Sequence, residues 1–257
     1  MVILPTKSTS LNGKIKVGAV SYLNTKPMVY FLEQGHLSDS FHFIFDYPSN
    51  VATKLLNDEI DFGLVPVAVI PQIQHPQIVS PYCIATDGEV ASVCLFSDVP
   101  LAQIETILLD YQSRSSVGLL KILLKHFWKI NPILIEANAG FENQISNTTA
   151  GLVIGDRALV KRNATKYVFD LGLAWKEMTG LPFVFAVWLA NKKLDDSKIK
   201  LFNAEVEKGL SMIPAVVSQL DFKHYDLLHY YQKNISYVLD EKKSAAIEKY
   251  LSYLKES

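Results

Sequence analysis

The stretch Lys14 to Pro27, KIKVGAVSYLNTKP, decides how this chain is read. Its first half, Lys14 to Val20, alternates and closes on an apolar run, the pattern of a strand entering a core. Ser21-Tyr22-Leu23-Asn24 breaks that pattern. Pro27 then suits the first turn of a helix, where a missing N–H costs little. The unit recurs at once. Phe41 to Tyr47 (FHFIFDY) is an alternating aromatic strand, Pro48-Ser49-Asn50 offers a turn and a cap, and Val51, Leu55 and Leu56 keep a helical period. Asp61 to Val69 (DFGLVPVAV) is a third strand followed by a Pro-marked connection. Strand–helix–strand–helix–strand predicts an α/β lobe on a largely parallel sheet.

The theme continues outward. Val90 to Phe96, Thr106 to Leu109, Ile133 to Glu136, Ala150 to Ile154, Tyr167 to Leu171 and Pro182 to Ala190 read as strands. A helix is expected from about Ser116 to Phe127 and a short one after Asp156. From about Asp196 the character changes to a cluster of three helical segments, around Leu201 to Ile213, Tyr225 to Tyr231 and Ser244 to Leu254. The first dozen residues are weakly patterned and read as a loose tail. No repeat and no Gly/Ser/Pro-rich joint divides the chain, so a second lobe must be joined by strands rather than a floppy tether.

Composition bounds the function. At about 150 residues per domain, 257 residues give between one and two domains. An apolar fraction of 49% with 20% charged residues excludes a disordered or low-complexity chain. A net charge of −1 argues against a dedicated nucleic-acid binder, which usually carries a basic excess. Cys83 and Cys94 are too few for a disulfide framework, lack metal-ligand spacing, and read as buried thiols. The apolar stretch Val2 to Pro5 is shorter than the roughly 7 residues of a signal core. The longest apolar run, Leu181 to Ala190, falls short of the roughly 18 residues that suggest a membrane span. A cytoplasmic protein without membrane attachment is therefore expected.

Three polar turns sit where open α/β sheets bind ligands, at the carboxyl ends of strands. Ser21 to Asn24 offers uncharged donors and acceptors, or simply a strand-to-helix cap. Asp110 to Ser116 (DYQSRSS) combines hydroxyls, a guanidinium and a helix N-terminus, which suits a carboxylate or phosphate, or else a capped helix with an exposed Arg114. It lacks the glycines of a nucleotide loop. Asp156 either meets a ligand or caps the helix after it. Ser92 gains interest if its strand crosses between lobes. None of the six histidines lies in these turns, and no H-E-x-x-H or G-x-S-x-G occurs. Spacing alone therefore suggests a binding lobe pair without a strong general base.

Five segments standing in order carry a resemblance: VGAVSYLNTKP (Val17 to Pro27), SVCLFSDVP (Ser92 to Pro100), DYQSRSSVGLLKILL (Asp110 to Leu124), GLVIGDRAL (Gly151 to Leu159) and DLGLAWKEMTGLPFVFAVWLA (Asp170 to Ala190). Together they resemble the chorismate dehydratases of the futalosine route to menaquinone, from about residue 15 to 190. The resemblance implies a fold similar to type II periplasmic binding proteins: two α/β lobes joined by two crossing strands, with the ligand in the cleft. The crossings are expected near Ser92 to Ser97 and Pro182 to Trp188. Lobe one would then comprise residues 1–95 plus 186–257, and lobe two residues 96–185.

The implied reaction removes water from chorismate to give 3-[(1-carboxyvinyl)oxy]benzoate, without cofactor or metal. By the same resemblance, Asn24 hydrogen-bonds near the reacting centre, and Ser92 holds a carboxylate or steers the departing hydroxyl. Ser115, Ser116 and nearby amides hold a substrate carboxylate, and Ser21 and Asp156 contribute ligand contacts. The family more often has Thr where this chain has Ser115, and the hydroxyl survives the change. The alternative is a non-catalytic binding protein for a small carboxylate. A regulator's ligand-sensing domain would need a DNA-binding helix-turn-helix that the weakly patterned N-terminus does not supply. Oligomeric state is left open by the sequence.

Overall fold

The computed structural model describes residues 13–256; the expected loose tail at residues 1–12 lies outside them. The opening stretch forms strand β1 (Ile15–Val20), a short 3-10 turn, and helix α1 (Lys26–Glu33) with Pro27 in its first turn. Strand β2 (Phe41–Asp46), helix α2 (Pro48–Leu56) and strand β3 (Phe62–Pro66) follow. Both β2 and β3 pair with β1 in parallel, as the strand–helix alternation requires. Strand β4 (Gln77–Thr86) comes next. It escaped the sequence reading because Pro81 interrupts its alternation.

The chain then builds a second sheet. Strand β5 (Val93–Ser97) and strand β6 (Thr106–Leu109) precede helix α3 (Arg114–Leu123), which runs into a π-turn at Leu124–Trp128. Strands β7 (Ile133–Glu136) and β8 (Thr149–Ile154), helix α4 (Asp156–Lys161), strand β9 (Tyr167–Asp170) and helix α5 (Leu171–Thr179) complete it. The spatial order is β7-β6-β8-β5-β9. The N-terminus of α3 is capped by Ser113, whose hydroxyl accepts from Ser116 N at 3.1 Å. This is why the helix starts two residues before the expected Ser116.

Strand β10 (Phe183–Ala190) then returns to the first sheet and runs antiparallel between β3 and β4. Every residue of β10 is buried. Helices α6 (Asp196–Ser211), α7 (Ile213–Ser218) and α8 (Leu227–His229) follow. The last leads into a π-turn at Tyr230–Asn234, edge strand β11 (Ser236–Val238) and helix α9 (Glu241–Lys255). The first sheet is therefore ordered β11-β4-β10-β3-β1-β2.

The expected crossing spans prove to be ordinary sheet strands. β5 pairs along its length with β8 and β9, and β10 with β3 and β4. The expected boundaries at residues 95/96 and 185/186 thus fall inside strands that each belong to one sheet. The chain passes between the sheets at 87–92 and returns after α5 through 180–182.

Two aromatic groups hold the framework. Phe202 packs edge-to-face on Phe62 and on Trp188 at the first sheet, with Trp188 and Phe202 4.8 Å apart and Phe62 tilted against Trp188. Trp175 of α5, Phe183 of β10 and Tyr250 of α9 meet at the junction of the lobes, with Phe183 and Tyr250 5.1 Å apart. The Tyr250 hydroxyl donates to Ser115 O at 3.1 Å, so the C-terminal helix joins both lobes. In the first lobe α1 and α6 cross at Gly209, where a Cβ would stand 2.1 Å from Pro27 O. Backbone cannot yield cheaply there. Gly209→Ala is expected to cost about 1–3 kcal/mol of stability, read as a lower urea midpoint at unchanged slope. Lys200→Ala, exposed on the same helix, should stay within about 0.5 kcal/mol of wild type.

Candidate functional site

A cavity with ≈ 490 Å³ of empty space, counted out to its mouth, lies between the two sheets. The first lobe supplies Val20, Tyr22, Asn24 and Thr25 from the carboxyl end of β1, with Pro48, Leu64, Pro66, Ile84, Phe185 and Ala186. The β10–β4 ladder slips between Val184 and Ala186, and bulges of this kind redirect side chains beside sites. The second lobe supplies Val90, Ser92, Val93, Ser113, Ser116, Ile154 and Gly155. The lining is apolar with a few hydroxyls and one amide. It includes no Asp, Glu, Lys, Arg or His among the described residues.

Of the expected site residues, the structure brings Asn24, Ser92 and Ser116 together on this cavity. The Asn24 side-chain oxygen accepts from Thr25 Oγ1 at 3.1 Å, and its backbone carbonyl accepts from the Tyr237 hydroxyl at 2.9 Å. Ser92 is fully buried in the segment joining the sheets. Its Oγ accepts from the Tyr230 hydroxyl at 2.7 Å, and its carbonyl accepts from Gly155 N at 2.8 Å. Ser116 Oγ accepts from Ser113 Oγ at 2.9 Å in the first turn of α3.

Three expected contacts lie elsewhere. Ser21 is exposed and off the lining, because the alternation that turns Val20 and Tyr22 inward turns Ser21 out. The Ser115 hydroxyl accepts from Ala68 N at 3.2 Å and pins the lobes together behind the cavity. Successive helical residues point about 100° apart, so Ser115 and Ser116 do not share a face. The Asp156 carboxylate accepts from Leu23 N at 3.0 Å, which joins α4 to the turn after β1 without lining the cavity. Burial pushes the Asp156 carboxyl above the usual carboxylate range, and the Leu23 amide opposes the shift. Arg114 also points away, donating to Thr53 Oγ1 at 3.0 Å near the surface.

The Arg157 guanidinium lies off the cavity lining and is paired with two carboxylates. Arg157 donates to Asp110 Oδ2 at 2.7 Å, to Gln112 Oε1 and to Glu142. Asp110 is held besides by the amides of Gln112, at 2.9 Å, and Ile154, at 3.0 Å. Gln112 Oε1 also accepts from the Tyr22 hydroxyl, a bridge between lobes. The Tyr22 ring lies on Gly155, where a Cβ would come within 3.1 Å of it and where φ is +65°. Only glycine suits both constraints. Among the described residues, no group of three or more His, Cys, Asp or Glu could hold a metal.

Beneath the joining segment, the buried Asp170 carboxylate accepts from Val90 N at 3.1 Å, Ala91 N at 2.8 Å and Leu173 N at 3.0 Å. Arg162 donates to Ala91 O at 3.2 Å. Gripped at both ends, Ala91 holds φ at +62°, a strained conformation for a residue with a Cβ. Cys94 sits beside this clamp, and burial pushes its thiol well above the ordinary range, as it raises that of Cys83. Tyr230 and Tyr237, which hold Ser92 and Asn24, were missed by the sequence reading. The tyrosine-rich stretch Tyr225 to Tyr231 was visible, but nothing in its spacing ties it to residue 92.

The comparisons with known proteins agree with this layout. The CA3427 gene product of Candida albicans, which has the generic periplasmic binding protein fold, superposes with a TM-score of 0.61 at 13% identity, over 95% of this chain and 90% of that one. The likeness establishes the fold. The chorismate dehydratase of Thermus thermophilus is 28% identical over 248 residues, covering 88% of this chain and 89% of that protein. The chorismate dehydratase of Campylobacter jejuni is 23% identical over 246 residues, covering 93% and 96%. A family model described as menaquinone biosynthesis matches residues 15–256. Since that match takes in both sheets and the cavity between them, the chain belongs to the menaquinone biosynthesis family.

Proposed function

We propose that the chain is a chorismate dehydratase, a hydro-lyase that eliminates water from chorismate to give 3-[(1-carboxyvinyl)oxy]benzoate. The observation that carries this reading is the cavity itself. It gathers neutral hydrogen-bonding groups from both lobes, Asn24, Ser92 and Ser116, over apolar walls, and its lining carries no side-chain base. The named relatives support it.

Chorismate is a dicarboxylate built on an unsaturated ring. Loss of the C3 proton and the C4 hydroxyl leaves an aromatic ring, so the step is strongly downhill. The enzyme must chiefly hold one reactive shape and deny the molecule its competing rearrangements. Orientation of this kind supplies on the order of 7–11 kcal/mol of barrier lowering in favourable cases. The Ser116 hydroxyl and the first-turn amides of α3 take one carboxylate, favoured by the positive end of the helix dipole. Asn24 and Ser92 meet the C4 oxygen and hydrogen-bond to it as its bond to carbon breaks. The proton from C3 passes to the substrate's own enolpyruvyl carboxylate, which hands it on to the departing C4 hydroxyl, so that the hydroxyl leaves as water. The pair of electrons from the C3–H bond completes the ring, with no net oxidation. Asp156 works indirectly, by drawing the Leu23 turn against α4.

Incubation of the purified protein with chorismate should yield a product lighter by one water in mass spectrometry. Binding of chorismate without that loss would favour a non-catalytic carboxylate receptor. Asn24→Ala and Ser92→Ala should each lower kcat by about 10²-fold or more, the scale of removing one aimed donor. The melting temperature of Asn24→Ala should stay close to wild type, while Ser92→Ala, which leaves the buried Tyr230 phenol without its acceptor, should melt a few degrees lower. Wild-type turnover in both variants would overturn these roles.

A further inference from the structure

We propose that Tyr230 is a positioning residue, whose phenol donates to Ser92 Oγ and so commits the Ser92 hydroxyl to donate into the cavity. The substrate named for that donation rests on the function proposed above. The bond itself rests on geometry alone.

A serine hydroxyl has one proton and two lone pairs, so its use depends on what its neighbours take. Tyr230 is fully buried, and its oxygen lies 2.7 Å from Ser92 Oγ. The two hydroxyls can share that bond in two directions. If Ser92 donated, the Tyr230 proton would be stranded in a buried site with no other acceptor among the described residues, which proteins avoid. If Tyr230 donates, both requirements are met, and a phenol is the more acidic donor of the two. One lone pair of Ser92 is then occupied. Its proton has a poor protein acceptor in Val90 O, at 3.5 Å, and the cavity that Ser92 lines offers a better one. A donor that is itself receiving a hydrogen bond is polarised and donates more strongly.

The surroundings fix this pair in place. Tyr230 opens a π-turn, a form of helix found often at functional sites. The far end of that turn, Asn234, donates to Glu89 O at 3.1 Å, and the Tyr225 hydroxyl donates to Asn234 Oδ1 at 3.1 Å. The tail therefore grips the joining segment at Glu89 and again at Ser92. On the other side the Asp170 carboxylate holds Val90 N and Ala91 N. Two independent clamps from distant parts of the chain thus aim one hydroxyl. Burial keeps the Tyr230 phenol protonated across the working range.

The test is a double-mutant cycle of Tyr230→Phe with Ser92→Ala, read in chorismate turnover. Tyr230→Phe should lower kcat about 10-fold, less than loss of the donor itself, with KM within about twofold of wild type. In the Ser92→Ala background it should have no further effect. An unchanged kcat in Tyr230→Phe, or the same decrement persisting without Ser92, would overturn the proposal. If Tyr230→Phe folds poorly, 3-fluorotyrosine at position 230 keeps the shape and sharpens the donor. It should hold kcat at or above wild type, and a fall would mean that Ser92 donates to Tyr230. Absence of turnover in the wild type would count against the chorismate reading alone. The crystal structure of Tyr230→Phe, or of the fluorotyrosine protein with Tyr230 donating, then decides the role. Ser92 Oγ turned toward Val90 O in Tyr230→Phe supports it, as does an unmoved Oγ in the fluorotyrosine protein. An unmoved Oγ in Tyr230→Phe, or a displaced one beside fluorotyrosine, overturns it.

Discussion

Three backbone amides converge on the buried carboxylate of Asp170, and the geometry of the site follows from that convergence. Burial raises the Asp170 carboxyl above its usual range while the amides pull it back, so the group is costly to hide and must be well used. It is used twice. It caps α5 through Leu173 N, and it fixes the segment that carries the chain from one sheet to the other. The strain at Ala91 persists because Asp170 grips its amide and Arg162 its carbonyl. One residue later the chain delivers Ser92 to the cavity wall. A carboxylate at the end of β9 thereby decides where a hydroxyl in another part of the sequence points.

The electrical design of the cavity is equally specific. Arg157 lies off the cavity lining, and Asp110, Gln112 and Glu142 accept its hydrogen bonds. Asp110 is in turn held by two backbone amides, so the cluster is closed on itself. What faces the ligand is neutral: an amide, hydroxyls and the start of a helix. Such groups pay less desolvation than a bare cation on meeting an anion, and they hold their dipoles fixed as charge shifts within it. The near-zero net charge of the chain is compatible with recognition of an anion on these terms, since no basic surface is needed.

Much of this was legible in the sequence, for identifiable reasons. β1, β2, β6, β7, β8 and β10 announce themselves because their pairing faces impose alternation or unbroken apolarity. α5 and β11 do not, being short and dependent on tertiary packing, and Pro81 disguises β4. The turns at strand ends gave Asn24 and Ser116, and Ser92 came from the start of a candidate strand. The same turns also suggested Ser21, Ser115 and Asp156, because a polar residue near a site and a polar residue in it look alike along one dimension. Direction separates them: Ser115 differs from Ser116 by one helical step, and that step sends its hydroxyl to Ala68. Tyr230 lay beyond reach, since its partner is 138 positions away.

The sheet order carries a consequence for how the molecule comes into being. The second sheet is complete in sequence by Asp170, with all five strands drawn from one continuous segment. The first sheet is interrupted. β3 and β4 are made early, but the strand that must lie between them, β10, leaves the ribosome only after the whole second lobe. During synthesis the first-made half of the protein therefore waits with two apolar strands lacking their common neighbour, while the later-made half can close. In chain order, then, the later-made lobe completes its sheet before the N-terminal one, against the usual N-terminal-first sequence of domain completion. The all-buried sequence of β10 is the last piece inserted between the two, and with it the cavity acquires its floor.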